Sequence, residues 1–142
     1  MNNNGYLCFK IGIMDIYKSI ASLVFPSELL DHFEVVKMEE CFNGEEKSVI
    51  FYLEELDKLN NTEKGHEYEK NGFYEASQIR DFPLRDRKVT LSVKRRRWID
   101  KTTGKSVSND YKLVAEGTRH SKEFAAFLKE VLGYSSDSGI FA

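Results

Sequence analysis

Hydrophobic and polar positions follow helical spacing near the two ends of the chain and alternate in its middle. In the first part, Asp15 is a candidate helix cap, followed at helical spacing by Ile16, Ile20, Leu23 and Val24. In the last part, Ser121 is a candidate cap for a helix whose apolar face would comprise Phe124, Phe127, Leu128 and Val131. We therefore predict one helix near each end.

The dipeptide Asn43-Gly44 predicts a first β-hairpin. This dipeptide favours a two-residue type I′ turn, and apolar segments flank it on both sides, around Val35 to Met38 and Val49 to Phe51. A turn at these two residues fixes the register. It would place Glu40 opposite Lys47, Met38 opposite Val49, and Val36 opposite Phe51.

A second hairpin is predicted from the alternation between Lys88 and Trp98. Its inward face would comprise Val89, Leu91 and Val93, whereas its outward face would comprise Lys88, Thr90, Ser92, Lys94, Arg96 and Trp98. The next residues, Asp100 to Lys105, form a candidate turn. The return strand would then run from Val107 to Ala115.

These elements predict an α+β fold. We expect an antiparallel sheet of about four or five strands built from two hairpins, with the N-terminal and C-terminal helices packed on one face. Residues 54–72 are expected to form an exposed loop, and Phe73 to Arg80 a further extended segment. A chain of 142 residues fits one domain, so we assign residues 14–133 to a single α+β domain, residues 1–13 to a loose tail or over-extended start, and residues 134–142 to a frayed tail.

Charge is unevenly distributed although the formal net charge is only −2. Residues 1–79 hold 7 Lys and Arg against 15 Asp and Glu, whereas residues 80–122 hold 13 against 5. A basic zone of this kind is expected in a protein that binds a phosphate backbone. A basic strand neutralised by the acidic half of the chain would show the same distribution, so charge alone leaves both interpretations open.

The sequence Lys-Arg-Arg-Arg-Trp at residues 94–98 lies just before the second predicted turn. A two-stranded ribbon fits the major groove of DNA, and arginine donates paired hydrogen bonds to guanine or phosphate. The alternative is that Arg95 and Arg97 pair with carboxylates while Trp98 lies in the core. For Trp98 alone we favour the core, but four consecutive cations favour nucleic acid because a polyanion relieves their mutual repulsion. The candidate nucleic-acid-binding residues are Lys94, Arg95, Arg96, Arg97, Trp98, Lys101, Lys105, Lys112 and Arg119.

Other chemistry has little support in the sequence. Cysteine and histidine lack metal-binding spacing, so we expect no metal site and treat as ordinary residues Cys8, Cys41, His32, His66 and His120. The acidic pairs Glu39-Glu40 and Glu54-Glu55 are expected to be solvated surface charge. Glycine patterns for phosphate or dinucleotide binding are missing. We therefore expect no cofactor and no enzymatic activity, and, with neither an export signal nor a membrane span in the sequence, a cytoplasmic location.

Residues 94–130 resemble the N-terminal-region proteins of a group of bacterial insertion-sequence transposases. The strongest motifs are Arg-Arg-Arg-Trp at 95–98, Thr-Gly-Lys at 103–105, and Leu-Val-Ala at 113–115 followed by Gly-Thr-Arg at 117–119. The likeness extends more weakly through Phe82, Pro83 and Arg85 back to about Met14. The chain departs from the pattern at residues 109–111, where it has Asn-Asp-Tyr instead of Arg-Asp-Trp.

This resemblance implies a role in a mobile genetic element. In that group the catalytic part lies in a separate reading frame, so this chain would be a non-catalytic end-recognition or assembly region. The implied partners are double-stranded DNA at the element ends, the downstream catalytic chain, and a second copy in a homodimer. The alternative is a protein-interaction module that docks on the catalytic chain or on a second copy. A small hydrolase is the third hypothesis.

Overall fold

The computed structural model describes residues 13–111 and 121–133, with side chains from residue 16 onward. In these ranges the fold is α+β, as predicted. The helices are α1 (Ile13–Val24), α2 (Ser27–Leu30) and α3 (Lys122–Val131). The strands are β1 (Phe33–Asn43), β2 (Glu46–Glu55), β3 (Tyr68–Phe73), β4 (Ser77–Leu84), β5 (Arg87–Lys94), β6 (Arg96–Asp100) and β7 (Ser106–Val107).

The described strands form two sheets rather than the single sheet expected. One has the strand order β1-β2-β5-β4, and the other has the order β3-β6-β7. Neighbouring strands are antiparallel except for β2 and β5, which pair in parallel from Lys47 opposite Arg87 to Glu54 opposite Lys94. The strand predicted from Lys88 to Trp98 is therefore divided, because the chain passes from one sheet to the other at Arg95.

The first hairpin forms, but its register differs by two residues from the prediction. Met38 lies opposite Phe51 and Glu40 opposite Val49. Gly44 and Glu45 form the turn, and Gly44 has a φ of 67°, which suits a two-residue turn with glycine first. Val36 has no opposite residue, because the register shifts between Val35 and Lys37. A slip of two residues keeps every side chain on its predicted face.

The return strand of the second hairpin is shorter than predicted. Only β7 is a strand in the described part of this segment, which ends at Tyr111. After β7, side-chain amides hold the backbone: Asn61 Nδ2 donates to the Ser108 carbonyl at 3.3 Å, and Asn60 Nδ2 donates to the Asp110 carbonyl at 3.1 Å. The predicted loop is also shorter, since β2 extends to Glu55 and β3 begins at Tyr68.

Both terminal helices pack into one hydrophobic core with the four-stranded sheet. The predicted inward residues of β5 and the predicted apolar face of α3 are all buried: Val89, Leu91, Val93, Phe124, Phe127, Leu128 and Val131. Ser121 caps α3 by accepting a hydrogen bond from the Phe124 amide at 3.2 Å. Two predictions for α1 are wrong: Asp15 lies inside the helix instead of before it, and Leu23 is 87% exposed. Within the described residues, no helix combines the length and the apolar character needed to cross a membrane.

Candidate nucleic-acid interface

The basic run lies where the chain passes between the two sheets. Lys94 ends β5, Arg95 belongs to neither sheet, and Arg96 begins β6. The Arg95 carbonyl accepts a hydrogen bond from the Tyr74 amide at 2.9 Å, which ties the crossing point to the chain just after β3. The backbone that bears these four cations is therefore held in place by β5 on one side of Arg95 and by β6 on the other.

These four cations lie over two aromatic rings. Lys94 and Arg96 lie over Phe73, with Nζ and Cζ at 6.0 and 4.7 Å from the ring centroid. Arg95 and Arg97 lie over Tyr74, with Cζ at 5.6 and 5.5 Å from its centroid. A cation over a ring face within about 6 Å is attracted by the ring quadrupole. Lys94 and Arg96 therefore share one ring, and Arg95 and Arg97 share the other.

A bulge in β3 places Phe73 at this position. The pairing of β3 with β6 shifts between Lys70, opposite Trp98, and Phe73, opposite Arg96. Gly72 lies in this shift with a φ of 75°, a conformation that suits glycine and is typical of one class of β-bulge. The one extra residue on β3 brings both rings beneath the basic run.

The arginines donate hydrogen bonds to backbone carbonyls. Arg95 Nη2 donates to Asn109 at 3.2 Å, Arg96 Nε to Glu55 at 2.8 Å, and Arg97 Nε to Asn71 at 3.1 Å. Each guanidinium has five N–H donors in a planar fork, so each retains further donors after its carbonyl contact. In the described part of the chain, none of the four cations forms an ion pair with a carboxylate.

The cations at the opposite end of β5 behave differently. Arg87 Nε donates to Glu40 at 2.8 Å, and Lys88 Nζ lies 3.1 Å from a carboxylate oxygen of Glu46. On the neighbouring strand, Lys47 lies 3.5 Å from Asp86. The cations at the beginning of β5 are thus neutralised by acidic residues, as the alternative interpretation of the charge distribution expects. The cations at its end have no carboxylate partner among the described residues.

Trp98 lies in the interior. It is 3% exposed, opposite Lys70 on β3 and Val107 on β7. The prediction that Trp98 lies on an outward face is wrong, because β6 is the central strand of the second sheet and this side chain is buried there. The alternative that places Trp98 in the core is the one that the structure shows, and an indole buried to this degree is not accessible to a base.

The turn after β6 carries two exposed lysines. Lys101 and Lys105 flank Gly104, and the turn is closed by a hydrogen bond of 2.6 Å from the Gly104 amide to the Asp100 carbonyl. The backbone amide of Lys101 also donates to the Glu67 carbonyl at 2.8 Å. Both ammonium groups therefore extend from a fixed backbone. Lys112 and Arg119, the other two candidates, lie outside the described residues.

The buried carboxylate of Glu55 accepts hydrogen bonds at the point where the chain crosses between the sheets. Glu55, at the end of β2, is 0% exposed, so the prediction of a solvated Glu54-Glu55 pair is wrong for this residue. Its carboxylate accepts hydrogen bonds from the Arg96 amide at 2.8 Å, from Asn109 Nδ2 at 3.0 Å, and from the Tyr111 hydroxyl. Burial and the Glu55 carboxylate raise the pKa of Tyr111. Glu55 thereby joins β2, β6 and the return segment.

Phe73, Tyr74 and Glu55 are the residues that sequence reasoning missed at this site. The adjacent aromatic residues Phe73 and Tyr74 are a visible signal, but their relation to the arginines depends on a bulge and on pairing between distant segments. Glu55 continues the alternation of the buried β2 residues Phe51 and Leu53, but it belongs to the segment that was predicted to be an exposed loop.

Two further features lie outside the basic run. A cavity of about 470 Å³ between the helices and β4 is lined by mainly apolar residues and shares none with the run. Separately, the side chains of Glu63, His66 and Asp100 lie close together and are of types that can hold a metal ion. No family model, no curated protein and no solved structure matches this chain.

Proposed function

We propose that this chain is a non-enzymatic module that binds double-stranded DNA in the cytoplasm through Lys94–Arg97 and the turn lysines Lys101 and Lys105. The observation that carries the proposal is the set of four consecutive cations seated on Phe73 and Tyr74 without a carboxylate partner among the described residues. Phosphate groups are the ligands that such cations recognise, and arginine does so through paired donors.

The aromatic seats support this role through geometry. A cationic side chain held over a ring has fewer accessible rotamers, so its remaining N–H donors are preorganised for an incoming oxygen. Four flexible side chains would otherwise lose rotamer freedom on binding. Phe73 and Tyr74 restrict that freedom in advance.

The proposal extends to the identity of the DNA. The resemblance to insertion-sequence N-terminal-region proteins makes the element ends the expected cognate sequence and a separate catalytic chain the expected partner. Phosphate contacts position a protein on DNA, whereas contacts to base edges select the sequence. A terminal duplex should therefore bind more tightly than a random duplex of the same length.

A salt series with labelled duplex DNA tests the proposal. Fluorescence anisotropy should show an affinity that falls steeply with salt, with a log-log slope of about −0.9 for each phosphate neutralised. The double variant Arg95→Ala/Arg97→Ala should weaken binding at least about tenfold. The matched control is Arg87→Ala/Lys88→Ala, which removes two cations at the beginning of β5 that carboxylates already neutralise, and it should bind nearly as the parent does. No binding by the parent even at low salt would overturn the proposal.

A protein-interaction module is the second candidate function. Among the residues whose side chains the structure describes, three large apolar ones are strongly exposed: Leu23 at 87%, Phe42 at 64% and Phe82 at 80%. Co-purification with the catalytic chain that survives nuclease treatment, together with loss of binding in Phe82→Ser but not in Arg95→Ala/Arg97→Ala, would favour this function over DNA binding.

A further inference from the structure

Two tight turns meet beside the second hairpin. In the first, the His66 amide donates to the Glu63 carbonyl at 3.1 Å. The second is the turn of residues 100–105 described above. The Lys101 amide donates to the Glu67 carbonyl at 2.8 Å, and the Glu67 amide lies 3.4 Å from Thr102 Oγ1. These contacts join the two turns into one unit.

Each turn contributes metal-ligating atoms to the same point. His66 Nδ1 lies 2.7 Å from Asp100 Oδ2 and 3.4 Å from Glu63 Oε2, and the three side chains offer ligand atoms that all lie within 4.8 Å of one another. Zinc binds nitrogen and carboxylate oxygen at about 2.0–2.2 Å in a tetrahedral arrangement, which separates two ligands by about 3.4 Å. Small side-chain rotations would therefore bring all three ligands to one ion.

The two carboxylates differ in exposure, and this difference defines the kind of site. Asp100 is 5% exposed, and its Oδ1 accepts hydrogen bonds from the amides of Thr102 and Thr103 at 2.9 and 3.3 Å, which turns Oδ2 towards His66. Glu63 has 74% of its side chain exposed. One ligand is thus fixed in the interior while another faces solvent, which leaves room for water in a fourth position.

We propose that Glu63, His66 and Asp100 bind one divalent transition-metal ion of the zinc class. An imidazole nitrogen with two carboxylates suits zinc and its neighbours in the first transition row, whereas calcium and magnesium prefer sites built wholly of oxygen. Three protein ligands and one open position are typical of zinc sites that retain a water molecule. The ion would lock the loop of residues 63–67 to the hairpin turn. The proposal is independent of DNA binding and is tested without DNA.

Titration of the metal-free chain with Zn²⁺ and with Co²⁺ tests the site. Isothermal titration calorimetry should show one Zn²⁺ per chain, and Zn²⁺ should raise the melting temperature because the ion binds the folded state. His66→Gln and Glu63→Gln should each weaken Zn²⁺ binding at least about tenfold. Since His66→Gln also removes the contact with Asp100, Glu63→Gln is the decisive variant, because its exposed side chain contributes little to folding.

Glu69→Gln is the matched control. It removes the same charge from an exposed position on neighbouring β3 that lies outside the cluster, and it should bind Zn²⁺ as the parent does. The Co²⁺ spectrum should lack thiolate-to-cobalt charge transfer. Absence of binding by the parent, unchanged binding by Glu63→Gln, or a thiolate signal that assigns the ion to cysteine would each overturn the proposal.

Discussion

At the scale of single residues, Phe73 and Tyr74 bear directly on the proposed binding of phosphate by the cations. The double variant Phe73→Leu/Tyr74→Leu keeps apolar volume and every positive charge but removes both ring faces. We expect duplex DNA affinity to fall about tenfold, since ordering a flexible side chain on binding costs about 0.5–1.5 kcal/mol and a loss of about 1.4 kcal/mol is tenfold. Anisotropy measured at constant salt checks this.

The control for that prediction is Phe42→Leu, which replaces a strongly exposed aromatic ring on β1, away from the basic run, with an aliphatic side chain. It should leave both affinity and melting temperature unchanged. Unchanged DNA affinity in the Phe73→Leu/Tyr74→Leu variant, with the fold intact by circular dichroism, would show that the rings do not orient the cations.

Glu39 provides a residue-scale prediction about pH. A hydrogen bond from the Tyr52 hydroxyl, together with Lys37 at 3.3 Å, lowers the pKa of Glu39 below its ordinary value of 4.5. A carboxyl group whose pKa is lower in the folded state contributes stability above its unfolded pKa and loses it as pH falls through the folded pKa. An NMR titration of the parent should place the Glu39 transition below 4.5. In Tyr52→Phe the transition should move upward, and an unmoved transition would contradict the assigned cause.

At the scale of elements, the turn between β6 and β7 separates anchoring from sequence selection. Lys101 and Lys105 are exposed on a fixed backbone, so we expect them to contact phosphates. Replacing either lysine by Ala should weaken binding to terminal and random duplexes alike and reduce the salt slope by about one unit. Salt series on both duplexes measure this. A loss confined to the terminal duplex would instead assign base contacts to the turn.

Arg96 is less suited than Arg97 to a test of DNA binding by substitution with Ala. Arg96 Nε donates to the Glu55 carbonyl in a half-buried contact, so Arg96→Ala changes the crossing point between the sheets as well as the proposed DNA-binding surface. Arg97 Nε donates to the Asn71 carbonyl in an exposed contact. Its replacement therefore reports on binding with less effect on folding.

The elements also show which parts of the fold a sequence can predict. Alternation identifies the inward residues of β5 because side-chain direction along a strand is local. The register of the first hairpin is harder to predict, since a slip of two residues preserves both faces and turn chemistry alone must decide. Neither the parallel pairing of β2 with β5 nor the crossing at Arg95 has a local signal. Both are contacts between distant segments, and at the crossing the Glu55 carboxylate continues the contact of β2 by accepting a hydrogen bond from the Arg96 amide.

The candidate site was predictable to a similar extent. The run of cations and the turn lysines are visible in the sequence, and the structure brings Lys94 to Arg97 together. The position of the Phe73 and Tyr74 rings under these cations depends on the bulge at Gly72. The cluster of Glu63, His66 and Asp100 forms only because two turns meet. Contacts of this kind join residues as far apart as 34 positions, so spacing along the chain does not reveal them.

At the scale of the whole molecule, the separation of charge between the two halves of the sequence predicts how copies of the chain associate. A basic run without carboxylate partners among the described residues can meet the acidic surface of a second copy as well as DNA. Such contacts are screened over about 8 Å at physiological ionic strength. We therefore expect dimers at low salt that dissociate as salt rises, and that duplex DNA displaces at constant salt because both ligands compete for the same cations.

Sedimentation velocity at about 0.02 M and about 0.3 M salt measures this association, since the Debye length differs severalfold between the two conditions. Arg95→Ala/Arg97→Ala should remain monomeric in both, whereas Arg87→Ala/Lys88→Ala should dimerise at low salt as the parent does. A dimer that persists at high salt in every variant would assign the interface to exposed apolar side chains such as Leu23 and Phe82. In that case DNA and the second copy would bind together instead of competing, which the same experiment with added duplex would show as a single heavier species.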